Sequence, residues 1–147
     1  MVERGAGIVR PPDQPATRFE YIRQWRIYSL VVRRLHTVVE TPEFAAAARG
    51  ALSETERAEL IDHLAVNPTA GELMPGTGGA RKLRWGAKGK GKRGGARVIT
   101  YYAGPNLPVF LMTIFTKGER ANLTKAERNE LREVLASLAA AYRKGMD

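Results

Sequence analysis

Arg81, Lys82, Arg84, Lys88, Lys90, Lys92, Arg93 and Arg97 all fall within one stretch of the chain, GTGGARKLRWGAKGKGKRGGAR, residues 76–97, and Lys117 follows. No aspartate or glutamate interrupts the chain between Glu72 and Glu119. Positive charge this dense, unneutralised and laced with glycine, suits an anion. Arginine forks onto phosphate oxygens, and lysine supplies a point charge. Each cation that meets a nucleic-acid phosphate releases counterions and tightens binding.

Three chemistries can be weighed against this stretch. A phosphate-cradling P-loop is matched in part, because Gly86 to Lys92 reads GxxxxGK. The next residue is Arg93 where Ser or Thr should hold magnesium, and a strand follows where a helix N-terminus should receive phosphate. Nucleotide hydrolysis therefore does not fit. A solvated charge run accounts for the loop lysines. It accounts poorly for Arg81, Arg84 and Arg97, which sit in strand-like segments. Residues two apart on a strand share a face, so Lys82 and Arg84 project together, Arg81 projects opposite, and Arg97 and Tyr101 share a face of the next strand. Cations from neighbouring strands around one anion make a rigid site. Paired carboxylates are absent near it, and so is histidine. Cleavage of RNA needs neither, because the ribose 2′-OH can attack the adjacent phosphate. The attack requires removal of a proton, stabilisation of the negative phosphorane and protonation of the leaving oxygen. Crowding can lower a lysine's pKa, since each cation disfavours its neighbour's charge, and a lysine so tuned can move protons. One well-placed donor to developing charge contributes about 3–4 kcal/mol. Tyr101 and Tyr102 offer a hydroxyl or a stacking ring.

The elements that must position these residues follow from local pattern. Leu35–Glu40 reads as a strand. Thr41 and Pro42 suit the N-cap and first position of a helix to about Gly50. Ser53 and Glu56 form a capping box for a second helix, with Ala58, Leu60, Ile61, Leu64 and Ala65 as its apolar face. Asn67-Pro68 ends it. Residues 69–79 read as a loop, 80–85 as a strand, 88–95 as a basic loop, 96–103 as a strand, and 109–116 as a central strand apolar on both faces. Thr124 and Glu127 box the start of a last helix with Leu131, Val134, Leu135 and Leu138 as its stripe. The fold class is α+β, with order β-α-α-β-β-β-α and helices on one face of a small, mostly antiparallel sheet. Residues 35–147 make the compact domain. Residues 1–34 read as an N-terminal extension, disordered over 1–18 and partly helical over 19–34. The segment is either a basic arm or the product of an overlong translation start.

Composition bounds the rest. The chain of 147 residues carries a net charge of +9, and its pI is near 10.3, so its partners are expected to be acidic. With no cysteine and two histidines far apart, disulfides, thiolate chemistry and Cys-based zinc sites are excluded. No metal or cofactor is expected. No apolar run reaches the roughly 18–20 residues of a membrane span, and no signal peptide is legible, so a cytoplasmic protein that does not enter membranes is expected.

Four motifs, ETPEF at 40–44, NPTAGELMPGTGGARKLRW at 67–85, KGKGKRGGARVITYY at 88–102 and LMTIFTKGERANLTKAE at 111–127, resemble the RelE/HigB superfamily of type II toxins, specifically its HigB-2 branch. The resemblance covers about two-thirds of the chain and implies a RelE-like fold that agrees with the element order above. It also implies a ribosome-dependent mRNA endonuclease (an mRNA interferase) that inhibits translation. Its partners would be the ribosome, mRNA and a cognate antitoxin, a helix-turn-helix protein encoded by the adjacent gene. On this resemblance Arg97 stands at the family's strand arginine, Lys82 and Arg84 at basic positions of the preceding strand, and Lys117 beside a family arginine position that Gly118 occupies here. The expected catalytic set is Arg97, Lys117, Lys82, Arg84 and Tyr102. Arg81, Lys88, Lys90, Lys92 and Arg93 are expected to hold RNA. The tyrosine of some members falls near Leu123-Thr124 and is missing. The alternatives are a non-enzymatic gyrase inhibitor of the related ParE type and a catalytically inactive protein that only binds antitoxin.

Overall fold

A computed structural model of the chain describes residues 2–4, 35–87, 95–120 and 122–146. The elements are β1 (Val2–Arg4), β2 (Val38–Glu40), α1 (Pro42–Ala51), α2 (Glu54–Val66), β3 (Glu72–Leu73), β4 (Ala80–Trp85), β5 (Ala96–Tyr102), β6 (Val109–Thr116) and α3 (Lys125–Met146). Among the described residues they build one sheet of order β1-β2-β6-β5-β4-β3. Every pairing is antiparallel except β2 with β6, which is parallel. The long connection that a parallel pair requires runs here through the α1–α2 hairpin and strands β3 to β5. The expected α+β architecture and order are therefore present, with two additions. Val2–Arg4, expected from sequence to be disordered, pairs with β2 and covers what would be an open edge. Glu72–Leu73, read as loop, pairs with β4. The helix expected over residues 19–34 lies outside the described residues.

Local sequence explains the helix starts. Thr41 caps α1 through its hydroxyl, which accepts from the Phe44 N–H at 3.3 Å and lies 2.8 and 3.0 Å from the Leu111 and Met112 carbonyls of β6. Met112 is the extra residue of a β-bulge there, since Ile99 pairs with Thr113 and Thr100 with Leu111. Ser53 and Glu56 close the expected capping box on α2. Thr124 and Glu127 close the one on α3.

The helices cover both faces of the sheet, not one. Alternate residues of the strands enter two separate cores. Val38, Val98, Leu111 and Ile114 pack with Phe44 and Ala48 of α1 and with Leu60, Ile61 and Leu64 of α2. Val39, Ile99, Tyr101, Phe110 and Phe115 pack with Leu135 and Ala139 of α3. An amphipathic stripe says that a helix must bury one side and is silent on which face of a sheet receives it. Two stripe residues also fall outside the cores: Ala58 is exposed, and Val134 is 45% exposed at the margin of the α3 contact.

Glu127 ties the start of α3 in place. Its carboxylate accepts from the Thr124 N–H at 2.9 Å and pairs with Arg120. These contacts hold its carboxyl below the ordinary glutamate range, first through the Thr124 N–H and then through Arg120. The stability this contributes is complete above the unfolded-state value, about 4.3, and is lost as pH falls through the lower folded-state value. Glu127→Gln should therefore flatten the acid limb of the stability–pH curve in urea titrations between about pH 5 and 3. An unchanged limb would show that the pair contributes nothing.

Candidate nucleic-acid interface

Register sorts the basic residues without ambiguity. Lys82 pairs with Ile99, Arg84 with Arg97, and Arg97 with Phe115. Directly paired residues point to the same side of a sheet, so Lys82, Arg84 and Arg97 share the face that carries Ile99, Phe115 and α3. This is the side-by-side arrangement expected from strand spacing. Arg84 is exposed, Lys82 half-buried, and Arg97 6% exposed. One Arg97 Nη donates to the Ala96 carbonyl at 3.3 Å. Two arginines directly opposite each other lie about 4.5–5.5 Å apart at Cβ, a like-charge pairing that weakens a sheet unless an anion bridges it.

Lys117 lies in the turn after β6, exposed, its N–H donating to the Gly95 carbonyl at 3.2 Å. That places it at the same end of the sheet as the Arg84–Arg97 pair. The basic loop residues Lys88, Lys90, Lys92 and Arg93 lie outside the described residues. The two ends of their segment are placed. A Cβ on Gly95 would run into the Trp85 carbonyl oxygen and come within 2.9 Å of the Ala87 nitrogen. Only glycine permits this approach, and the segment therefore leaves and rejoins the sheet beside Arg84 and Arg97.

Two expected site residues do not join the cluster. Tyr102 lies on the opposite face, five positions from Arg97 and at the other end of β5, with its ring 5.7 Å from that of His36. An odd separation along a regular strand reverses the face, so Tyr102 is removed from the catalytic set. Tyr101 does share the face of Arg97, but it is buried and stacked on Phe110 at 6.1 Å, which makes it core. Arg81 also projects opposite. Its Nη1 donates to the Thr69 and Gly71 carbonyls at 3.1 and 3.4 Å, so it fastens the preceding loop on the face opposite Lys82. Gly71 in that loop has φ +98°, and a Cβ there would meet the Lys82 carbonyl at 2.9 Å.

Residues 37–147 match the family model described as the RelE toxin of the RelE/RelB toxin–antitoxin system. The chain belongs to the RelE toxin family. It is thus a toxin of the toxin–antitoxin type. The matched span contains the whole basic face, from Lys82 to Lys117, and excludes β1.

Two cations on this face of the RelE-family domain escape a sequence reading. Arg120 lies over the Phe115 ring, 4.7 Å from its centroid, and Phe115 is the direct neighbour of Arg97 on β6. Arg128 projects from the first turns of α3, seven residues before the buried Leu135. That separation, two helical turns, places both on the side of α3 that meets the sheet and is the signal that could have found it. Arg120 has no such signal, since it lies in a turn. Among the described residues no group of three or more His, Cys, Asp or Glu side chains could hold a metal ion, and no helix is long and apolar enough to cross a membrane.

Proposed function

We propose that this toxin is a ribosome-dependent mRNA endonuclease working by positive charge. The observation that carries the reading is the alignment of Lys82, Arg84 and Arg97 on one sheet face, with Lys117 at the end of the same sheet. Arg97 and Arg84 would clamp the scissile phosphate and neutralise the phosphorane formed when the 2′-OH attacks it. Lys82 or Lys117 would take the 2′ proton and return one to the leaving 5′-oxygen. The segment containing Lys88, Lys90, Lys92 and Arg93 would hold neighbouring phosphates. A cognate antitoxin would silence the toxin, the natural candidate being a helix-turn-helix protein encoded next to it. Residues 35–147 would form the toxin domain, acting in the cytoplasm on mRNA in the ribosomal A site.

The test is a coupled translation extract programmed with one defined mRNA. New 5′ ends should appear inside codons when ribosomes translate it, and none should appear when the same RNA and toxin are mixed without ribosomes. Intact mRNA in both reactions, with gyrase supercoiling blocked instead, would replace this reading with the ParE-like one.

A further inference from the structure

The basic face continues past Lys82 to a pocket of about 130 Å³ between the β3–β4 hairpin and the start of α3. Met74, Lys82, Asn122 and Arg128 line it, with Glu72 on the hairpin side. Only Lys82 has a place in the reaction described above. The pocket nevertheless carries an unexplained feature: the Arg128 Nε is buried and meets no acceptor. A guanidinium N–H withdrawn from water without a partner destabilises the fold, and an acceptor supplied by a ligand would remove that cost.

Lys82 and Asn122 add further donors, and Glu72 is the one carboxylate of the lining. The Asn122 Oδ1 already accepts from the Leu123 N–H at 2.9 Å, which leaves its amide nitrogen as the donating end. Lys82 stands directly opposite Glu72 in the ladder, yet no ion pair joins the two. Glu72 is exposed and Lys82 half-buried, and both line the pocket. The hairpin is held rigidly behind them. The buried Thr77 hydroxyl donates to the Met74 carbonyl at 2.7 Å and accepts from the Ala80 N–H at 3.0 Å.

We propose that this pocket is a second phosphate subsite, taking a backbone phosphate of the RNA strand beside the one that is cut. The assignment rests on the RNA-cleaving function proposed above. Lys82 and Arg84 are two residues apart on one strand face, about 6–7 Å, comparable with the step between neighbouring phosphates of a single strand. A strand lying along β4 would therefore place one phosphate between Arg84 and Arg97 and the next between Lys82 and Arg128. Arg128 would grip it side-on through Nε and one Nη, the charge-assisted fork that lysine cannot make. Contact at two successive phosphates would fix the register of the strand over the cutting site.

The experiment uses the full chain and a short single-stranded RNA whose 2′ positions are methylated so that it cannot be cut. Binding is followed by fluorescence anisotropy across a potassium chloride series. Arg128→Gln should reduce the slope of log affinity against log salt by about 0.7, the share of one phosphate contact on a single strand, with an unchanged or raised melting temperature. Arg128→Lys should restore the slope without restoring the affinity, because it returns the charge and not the fork. In parallel, the Arg128 Nε–Hε resonance should shift saturably when inorganic phosphate is added to the wild type. An unchanged salt slope in Arg128→Gln overturns the subsite and leaves the endonuclease reading standing. A phosphate-induced shift with an unchanged slope overturns it as an RNA site and makes it a site for free phosphate. Loss of affinity for an acidic protein partner alone overturns it in favour of a docking contact. If the wild type binds no RNA and cuts none in translating extract, both readings fall together.

Discussion

Arg97→Ala is expected to abolish mRNA cutting in a translating extract and growth arrest in a bacterial host, with the chain still folded. The magnitude follows from what the residue would do. Removing one preorganised donor to developing negative charge lowers turnover by about 10²- to 10³-fold. Arg97 is nearly buried at 6% exposure, on the central strand β5 between Arg84 and Phe115 in register. A guanidinium held by flanking strands reorganises little when a phosphorane forms, which is the condition for a large electrostatic effect. The same burial means that the alanine variant loses packing of the arginine stem as well as charge. Arg97→Lys keeps most of the stem and the charge but loses the fork. It should remain far below wild type if the fork matters and approach wild type if charge alone does. Melting temperature and antitoxin binding serve as the folding controls for both. Full toxicity of folded Arg97→Ala would remove this residue from the chemistry and with it the central position of the proposed site.

The difference between what was legible in the sequence and what was not follows the range of the interactions. The caps at Thr41, Ser53 and Thr124 are contacts within three residues, and all three were readable. The strand spans 80–85 and 109–116 were readable because turns and apolar runs bound them. Lys82 and Arg84 sharing a face is a property of any strand. The placement of α3 on the opposite face from α1 and α2 was not readable, since the stripe through Leu131, Leu135 and Leu138 fits either face. The bulge at Met112 was hidden for a similar reason, because it exists only against the register of β5. Tyr102 is a different case. Its five-residue separation from Arg97 puts it on the opposite face of a strand, and a hydroxyl or a stacking ring counts for the site only on the face where Arg97 stands. Arg120 reaches the basic face only because the chain turns back across it after β6, a tertiary event without a local mark, whereas the spacing of Arg128 from Leu135 marks its side of α3 but not the strand that side meets. The Lys88–Arg93 cluster remains the clearest feature in the sequence.

Arg57→Ala is expected to be among the most destabilising single substitutions in the domain, at about 3–5 kcal/mol, without touching the basic face. Glu40, from the ETPEF motif, is fully buried, and the Arg57 Nε donates to its Oε1 at 2.6 Å with Arg57 itself 13% exposed. Arg57 also lies over the Phe44 ring at 6.0 Å. Glu40 follows Val39 on β2 and therefore points with Val38 toward α1 and α2, away from Arg97. A carboxylate in this motif invites a catalytic reading, and its surroundings give it a structural one. It fastens α2 to the parallel strand β2 on the face opposite the proposed chemistry. Taking away the guanidinium leaves buried charge without that partner, and the penalty for this exceeds the value of an exposed pair several-fold. Measured against a total stability of roughly 5–15 kcal/mol, such a loss lowers the urea midpoint severely. The pair as a whole need not stabilise, because desolvating both groups offsets much of their attraction. The double variant Glu40→Leu with Arg57→Met should therefore recover a large part of what Arg57→Ala loses, a coupling visible as strong non-additivity in the cycle. RNA cleavage per folded molecule should stay at the wild-type level in the double variant. If Arg57→Ala costs less than about 1 kcal/mol in urea denaturation, the pair behaves as a surface contact. If the stable double variant loses cleavage, Glu40 or Arg57 has a part in function that the opposite face of the sheet does not explain.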